Sequence, residues 1–216
     1  MTTVDNCNAP EDCAFVAIDP KILYFGNPVA LITSTNEDLS PNLAPISSFW
    51  ALGWTMTLGL LTLTKTLQNL EKRPDCVVNI PSPDLWEKVE RLAPLTGQNP
   101  VPEEKAAQFR FEPDKFSAGG FSPFASELVT APRVKECPVQ LEGRARRVHA
   151  LSGDGRLAKL GGGAAVEIEI LRVHVRKDLV IHGNHIDPAQ WQPLVYNFRH
   201  YFGLGKELGR TFRAET

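Results

Sequence analysis

The sequence predicts a mainly β protein with helical additions, built as an antiparallel barrel. Three observations lead there. About six short β-rich segments are separated by turn-forming residues. Helical patterns fall between them at irregular intervals instead of alternating strand by strand. No G-x-G-x-x-G motif opens a βαβ unit, which argues against a dinucleotide-binding parallel sheet.

Taken in order, residues 1–20 are polar and acidic and read as a flexible arm. Cys7 and Cys13 lie in it with a spacing that fits no common metal pattern. Val29 to Thr35 is β-rich, and Asn36-Glu37-Asp38-Leu39-Ser40-Pro41-Asn42 is full of turn formers, so the chain should return as a hairpin into Leu43 to Phe49. Residues 55–62 alternate, with Met56, Leu58 and Leu60 on one face of a half-buried strand. Thr66 to Arg73 reads as a short helix capped by Thr66, and Pro74 ends it. Cys76 to Ile80 is a strand. Asp84 to Leu92 is an amphipathic helix with Leu85, Trp86, Val89 and Leu92 along one stripe.

Residues 94–133 are rich in Pro, Gly and Phe, and read as long loops with a short helix near Glu103 to Gln108. Strands resume at Val139 to Ala150, and a tight turn follows at Ser152 to Gly155. From Val166 the apolar residues run Val166, Ile168, Ile170 and then change phase to Leu171, Val173, Val175, which predicts a β-bulge. A barrel body of 21–186 then passes into an aromatic tail, 187–216. That tail carries Trp191, Tyr196, Phe198, Tyr201, Phe202 and Phe212, and is expected to dock on the body or on a second subunit.

Composition narrows the function. With 216 residues, 43% apolar and 22% charged, the chain can bury a core of its own. A net charge of −2 argues against non-specific nucleic-acid binding. No apolar run reaches the roughly 20 residues that span a bilayer, and Met1 to Asp19 does not read as a signal peptide. The four cysteines are too scattered for a disulfide framework, so a cytoplasmic location is expected. His182 and His185 could suit a metal by spacing, but solvent-exposed histidines in a turn need none, and no metal is expected.

Two segments carry the chemistry. A cation and hydroxyls, Thr64, Lys65 and Thr66, open a helix whose first turn presents free N–H groups to an anion, and Asn69 can brace that loop. Thr33, Ser34, Thr35, Asn42, Ala44, Pro45, Ser47, Ser48, Phe49 and Trp50 offer polar donors and apolar cover in neighbouring strands. Together they suit a flat, polar-edged ring with a phosphate tail, such as a flavin. A plain N-capped helix and a polar barrel rim would explain the same residues. In the tail, Arg199, His200 and Tyr201 could line the space above the ring and meet a negatively charged substrate, with His200 the only side chain proposed to act in catalysis. Interface packing is the competing reading.

The chain resembles the flavin-reductase-like family. The runs that carry the resemblance are Pro28-Val29-Ala30-Leu31-Ile32-Thr33-Ser34, Asn42-Leu43-Ala44-Pro45-Ile46-Ser47-Ser48-Phe49, Thr66-Leu67-Gln68-Asn69-Leu70, Val77-Val78-Asn79 and Cys137-Pro138-Val139-Gln140-Leu141-Glu142, in that order. The resemblance implies an FMN-binding antiparallel split β-barrel and a homodimer with FMN at the interface. It also implies phosphate contacts near Lys65-Thr66 and ring contacts from Thr33 to Thr35 and Ser47 to Trp50. The implied activity is hydride transfer from NAD(P)H through FMN to a small acceptor. Two alternatives stay open: an FMN-binding barrel without turnover, and a pyridoxamine-phosphate-oxidase-like enzyme using Arg144, Arg146 and Arg147. The chain departs from the family's pattern at Ser40-Pro41, at Ala51-Leu52-Gly53-Trp54, and at Gly143, where a cysteine is common.

Overall fold

A computed structural model describes residues 15–151 and 155–212. Its centre is a seven-stranded antiparallel sheet in the order β3-β2-β6-β7-β8-β5-β4. These strands are β2 (Ala30–Thr35), β3 (Pro41–Ile46), β4 (Phe49–Leu52), β5 (Thr55–Leu61), β6 (Asp75–Ile80), β7 (Val139–Leu151) and β8 (Gly163–Val175). The fold is mainly β and forms a split barrel, as the sequence predicts. A smaller sheet joins β1 (Phe25–Pro28) to the C-terminal hairpin of β9 (Val195–Asn197) and β10 (His200–Phe202).

Strand β2 shows how the pleat sorts side chains. Ala30 and Ile32 enter the barrel interior with Leu58, Val78, Val166 and Ile168. Leu31, and Val29 just before the strand, face the other way, into a second cluster with Leu92, Phe116 and Leu194. Both faces are therefore covered, and the strand is buried from end to end. The second cluster lies under α2 (Trp86–Leu92) and α4 (Lys115–Gly119).

The phase change along β8 is a bulge. Glu142 pairs with Arg172 and Gly143 with Ile170, so Leu171 has no partner across the ladder. Gly143 is fixed by contact there, since a Cβ would lie 2.6 Å from Ile168 Cγ2 and 3.0 Å from the Glu169 carbonyl oxygen. Gly143→Cys is expected to destabilise the fold by about 1–3 kcal/mol. Urea unfolding of the reduced variant checks this, and an unchanged midpoint would mean that the barrel yields at the bulge.

Several local expectations shift. Helix α1 runs Lys65–Lys72, one residue earlier than expected, because Thr64 and not Thr66 accepts the capping bond from Leu67 N. The Leu43 to Phe49 strand breaks at Ser47-Ser48, where Ser48 turns to bond Gly59 on β5. Trp86 is exposed, and Leu85, Val89 and Leu92 form the buried stripe. The 94–133 stretch holds a second helix, α4, besides α3 (Glu103–Ala106). Cys7, Cys13 and most of the Ser152 turn lie outside the described residues. Among described residues no helix is long and apolar enough to cross a membrane.

The tail packs on the body through part of its length. Val29 N donates to Leu194 O at 2.8 Å, Trp191 covers the barrel core, and Tyr196 and Tyr201 cover the second cluster. Phe212 stays exposed.

Candidate functional site

A cavity of about 710 Å³ opens between the β3–β5 side of the barrel and the layer of α2, α3 and α4. Its size falls in the usual ligand range of about 300–1,000 Å³. One wall is Ala44, Pro45, Ser47 and Ser48, where β3 ends. The start of α1 brings Thr64, Lys65 and Thr66, and Tyr196, Arg199 and Tyr201 close the side near the tail.

The corner at α1 is largely committed. Thr64 caps the helix, and its hydroxyl also donates to Leu61 O at 2.8 Å. Lys65 Nζ lies 2.7 Å from Glu37 Oε2, and this bond holds the Glu37 carboxyl down at about 2. Thr66 is 2% exposed, and its hydroxyl accepts from Asn42 Nδ2 at 3.2 Å. The same Asn42 amide reaches Ser34 Oγ at 3.2 Å, where Asn69 Nδ2 also donates at 3.1 Å. Asn42 Oδ1 is buried without a partner. A Cβ at Gly97 would sit 2.7 Å from that oxygen and 3.1 Å from Lys65 Cγ, so only glycine lets the cavity wall pass here.

Not every residue singled out in the sequence reaches this cavity. Thr33 faces away from the barrel interior and donates to Pro132 O at 2.6 Å, while Thr35 meets Thr130 at 3.5 Å. Ser34, Asn42 and Asn69 form the polar knot behind the wall and are not among its lining. Phe49 packs on the barrel core, and Trp50 projects to the surface, 59% exposed. His200 lies in a second cavity of about 620 Å³, beside Trp86 and Phe202, and Arg199 and Tyr201 border both spaces. Tyr201 donates to Glu90 Oε2 at 2.9 Å, and burial followed by this bond pushes its phenol up. Phe198 and Arg199 turn this hairpin with φ of 44° and 69°, a conformation that side chains of their size rarely adopt.

Sequence reasoning missed two lysines. Lys105 on α3 donates from Nζ to Leu63 O and lies 5.6 Å from the centre of the Phe109 ring. Lys115 on α4 is 4% exposed and also lines the cavity. Burial, and then the charge of Lys105, lowers the Lys115 ammonium to about 8. The legible signal was the pair of caps around it: Asp114 accepts from Ser117 N at 3.1 Å, and Gly120 closes the helix with φ of 74°.

The arginines of β7 lie elsewhere. Arg144 bonds Asp75 at 2.8 Å and Arg146 pairs with Glu169. The rings of His182 and His185 stand 6.4 Å apart, and among described residues no group of three His, Cys, Asp or Glu could hold a metal.

Known proteins resemble this chain in sequence or in fold. The uncharacterized protein YdfE of Bacillus subtilis (strain 168) is 41% identical over 203 residues, covering 94% of this chain and 95% of the relative. The solved structure of flavoredoxin from Desulfovibrio vulgaris (Miyazaki F) superposes with a TM-score of 0.73 at 20% identity, covering 93% of this chain and 98% of the other. Nitrilotriacetate monooxygenase component B from Bacillus cereus gives 0.70 at 19% identity, covering 97% and 98%. These two likenesses concern the fold. The flavin reductase like domain matches residues 22–205, from before β1 to beyond β10, and the chain belongs to that family.

Proposed function

We propose that the protein is an FMN-dependent oxidoreductase of the flavin-reductase type, passing hydride from NAD(P)H through bound FMN to a small acceptor. The observation that carries the reading is one cavity with two chemistries. Lysines from α1, α3 and α4 stand along its lining, while Ala44, Pro45 and Ser47 give an uncharged wall. A phosphate-tailed ring needs both kinds of surface. The donor set fits it further, because buried Lys115 offers a positive charge and Gly97 keeps the wall thin.

Bound flavin supplies the hydride chemistry itself. The chain's part is to bind and orient. Lys65 and the N–H groups of the first turn of α1 favour an anion. Ser47 offers a hydroxyl to the ring's polar edge. Tyr24, Arg199 and Tyr201 stand at the side where an anionic nucleotide would approach. No acid or base is required, since hydride transfer depends on stacking and orientation.

The same reading makes the protein a homodimer with FMN near the interface. In support, β4 is an edge strand whose Trp50 and Leu52 are 59% and 75% exposed, followed by Trp54 at 63%. Single chains seldom leave such a patch in water.

Purified protein incubated with FMN should retain flavin absorbance through gel filtration, and anaerobic NADH or NADPH should bleach it. Folded protein that takes up no FMN would overturn the ligand assignment. Bound flavin that neither nucleotide bleaches would favour a binding protein without turnover.

A further inference from the structure

We infer that the cavity beside the C-terminal hairpin is a second ligand site, separate from the main cavity, and takes a planar aromatic carboxylate. Its chemistry is independent of whether the main cavity holds FMN.

The second cavity, of about 620 Å³, is within the usual ligand range of about 300–1,000 Å³. Pro83 and buried Leu194 give it an apolar part, and three rings line it: Trp86 at the head of α2, with Tyr201 and Phe202 on β10. The Trp86 and Tyr201 rings stand 6.1 Å apart, tilted by 41°, and Trp86 and Phe202 are each half-exposed. Open aromatic faces gathered at one cavity suit a flat guest that stacks on them.

The charge is as specific as the shape. Among the described residues that line the cavity, Arg199 is the one permanent cation and Glu90 the one carboxylate. Glu90 is taken by Tyr201 at 2.9 Å, and among the described residues no carboxylate forms an ion pair with the Arg199 guanidinium. A guanidinium offers a planar fork that a carboxylate meets with two parallel bonds. One cation answers one negative charge, so a carboxylate fits better than a phosphate dianion.

The turn that presents Arg199 is strained. Phe198 and Arg199 adopt φ of 44° and 69°, which glycine or asparagine would take more easily. Phe198 is anchored, with its N–H on Tyr24 O at 3.2 Å and its ring edge-on to Phe25 at 4.8 Å. Arg199 has no side-chain hydrogen bond among the described residues, which leaves the cavities it borders as the reason for a charged side chain there.

The test titrates 2-naphthoate into FMN-loaded protein by calorimetry, with uncharged 2-naphthamide and AMP, a flat base carrying a phosphate, as comparisons. The acid should bind without releasing flavin, at least about tenfold tighter than the amide and tighter than AMP. Arg199→Asn relieves the turn, so it should melt no lower than wild type, yet hold the acid only within about twofold of the amide. Trp86→Leu should weaken acid and amide alike, by about three- to tenfold. No binding of the acid, or an acid that expels FMN, overturns the second site, and tighter binding of AMP overturns the ligand class. An unchanged acid-to-amide ratio in folded Arg199→Asn is equally fatal. Should that variant not fold, Trp86→Leu decides: weaker binding of both naphthalenes upholds the site, and unchanged binding rejects it. Should wild type take up no FMN, the flavin reading falls alone, and the same titrations on the unloaded protein judge this site.

Discussion

Glu142→Ala is expected to cost about 3–5 kcal/mol of folding stability, enough to leave the chain at the margin of folding. Glu142 lies on β7 and is fully buried. Its carboxylate accepts from Glu127 N at 2.9 Å, from Leu128 N at 2.6 Å and from His174 Nε2 at 2.7 Å, with Arg133 Nε 3.8 Å away. It therefore ties the 127–128 loop to two barrel strands. Alanine would leave two backbone N–H groups and the His174 ring nitrogen without their acceptor and Arg133 without its countercharge, and each loss carries its own desolvation penalty. Burial by itself would raise the Glu142 carboxyl, but the Glu127 and Leu128 N–H groups and His174 outweigh it and hold the group below its usual range. The unfolded chain thus takes up this proton first on acidification. The stabilisation is complete above the ordinary carboxylate range and is lost as pH falls through the folded value. Urea midpoints should separate wild type from Glu142→Gln at pH 7 and converge below about pH 4. A constant separation would show that the carboxylate's charge is not what holds the loop.

The framework of the barrel was legible because it is local. Alternation placed Met56, Leu58 and Leu60 on the interior face, and one break in phase located the bulge at Leu171. The Ser47–Ser48 wall was legible as polar residues between strands. What could not be read was direction and depth. Thr33 and Ser34 are neighbours of similar chemistry, yet the pleat sends one hydroxyl to Pro132 and the other to the Asn42–Asn69 knot. Thr66 reads as the cap because it is a hydroxyl residue at the start of the expected helix, but Thr64 sits where the N–H groups point and Thr66 is left to bind Asn42. Lys115 was hidden for a different reason. An Asp-Lys-Phe run in a Pro- and Gly-rich stretch reads as solvated, and only tertiary contact between α4 and the Leu92 end of α2 buries it.

Lys115→Met should make the ligand-free protein more stable than wild type, which is the opposite of the usual result for a buried polar residue. The reason is that the native state holds this ammonium at a cost. Its value falls from 10.5 in the exposed chain to about 8, which corresponds to about 3 kcal/mol at neutral pH as an upper figure. Lys105 is the charged group that acts on it; Lys65 and Glu104 share its cavity, and Asp114 on its own helix is engaged by Ser117. The sign follows from proton counting. Between pH 8 and 10.5 the unfolded chain holds the proton and the folded one has released it, so wild-type stability gains from this group as pH rises through that window. Below it the full penalty stands. Methionine has nearly the same length and no charge, so the variant should melt higher at pH 7, by roughly 2–4 °C for each kcal/mol recovered. The gap should close towards pH 10. A folded variant that melts below wild type at pH 7 would mean that Lys115 has an internal partner, and its charge would then not be held for a ligand. A protein that keeps a cation at the wall of this cavity, against its own stability, shows the trade expected of a binding residue.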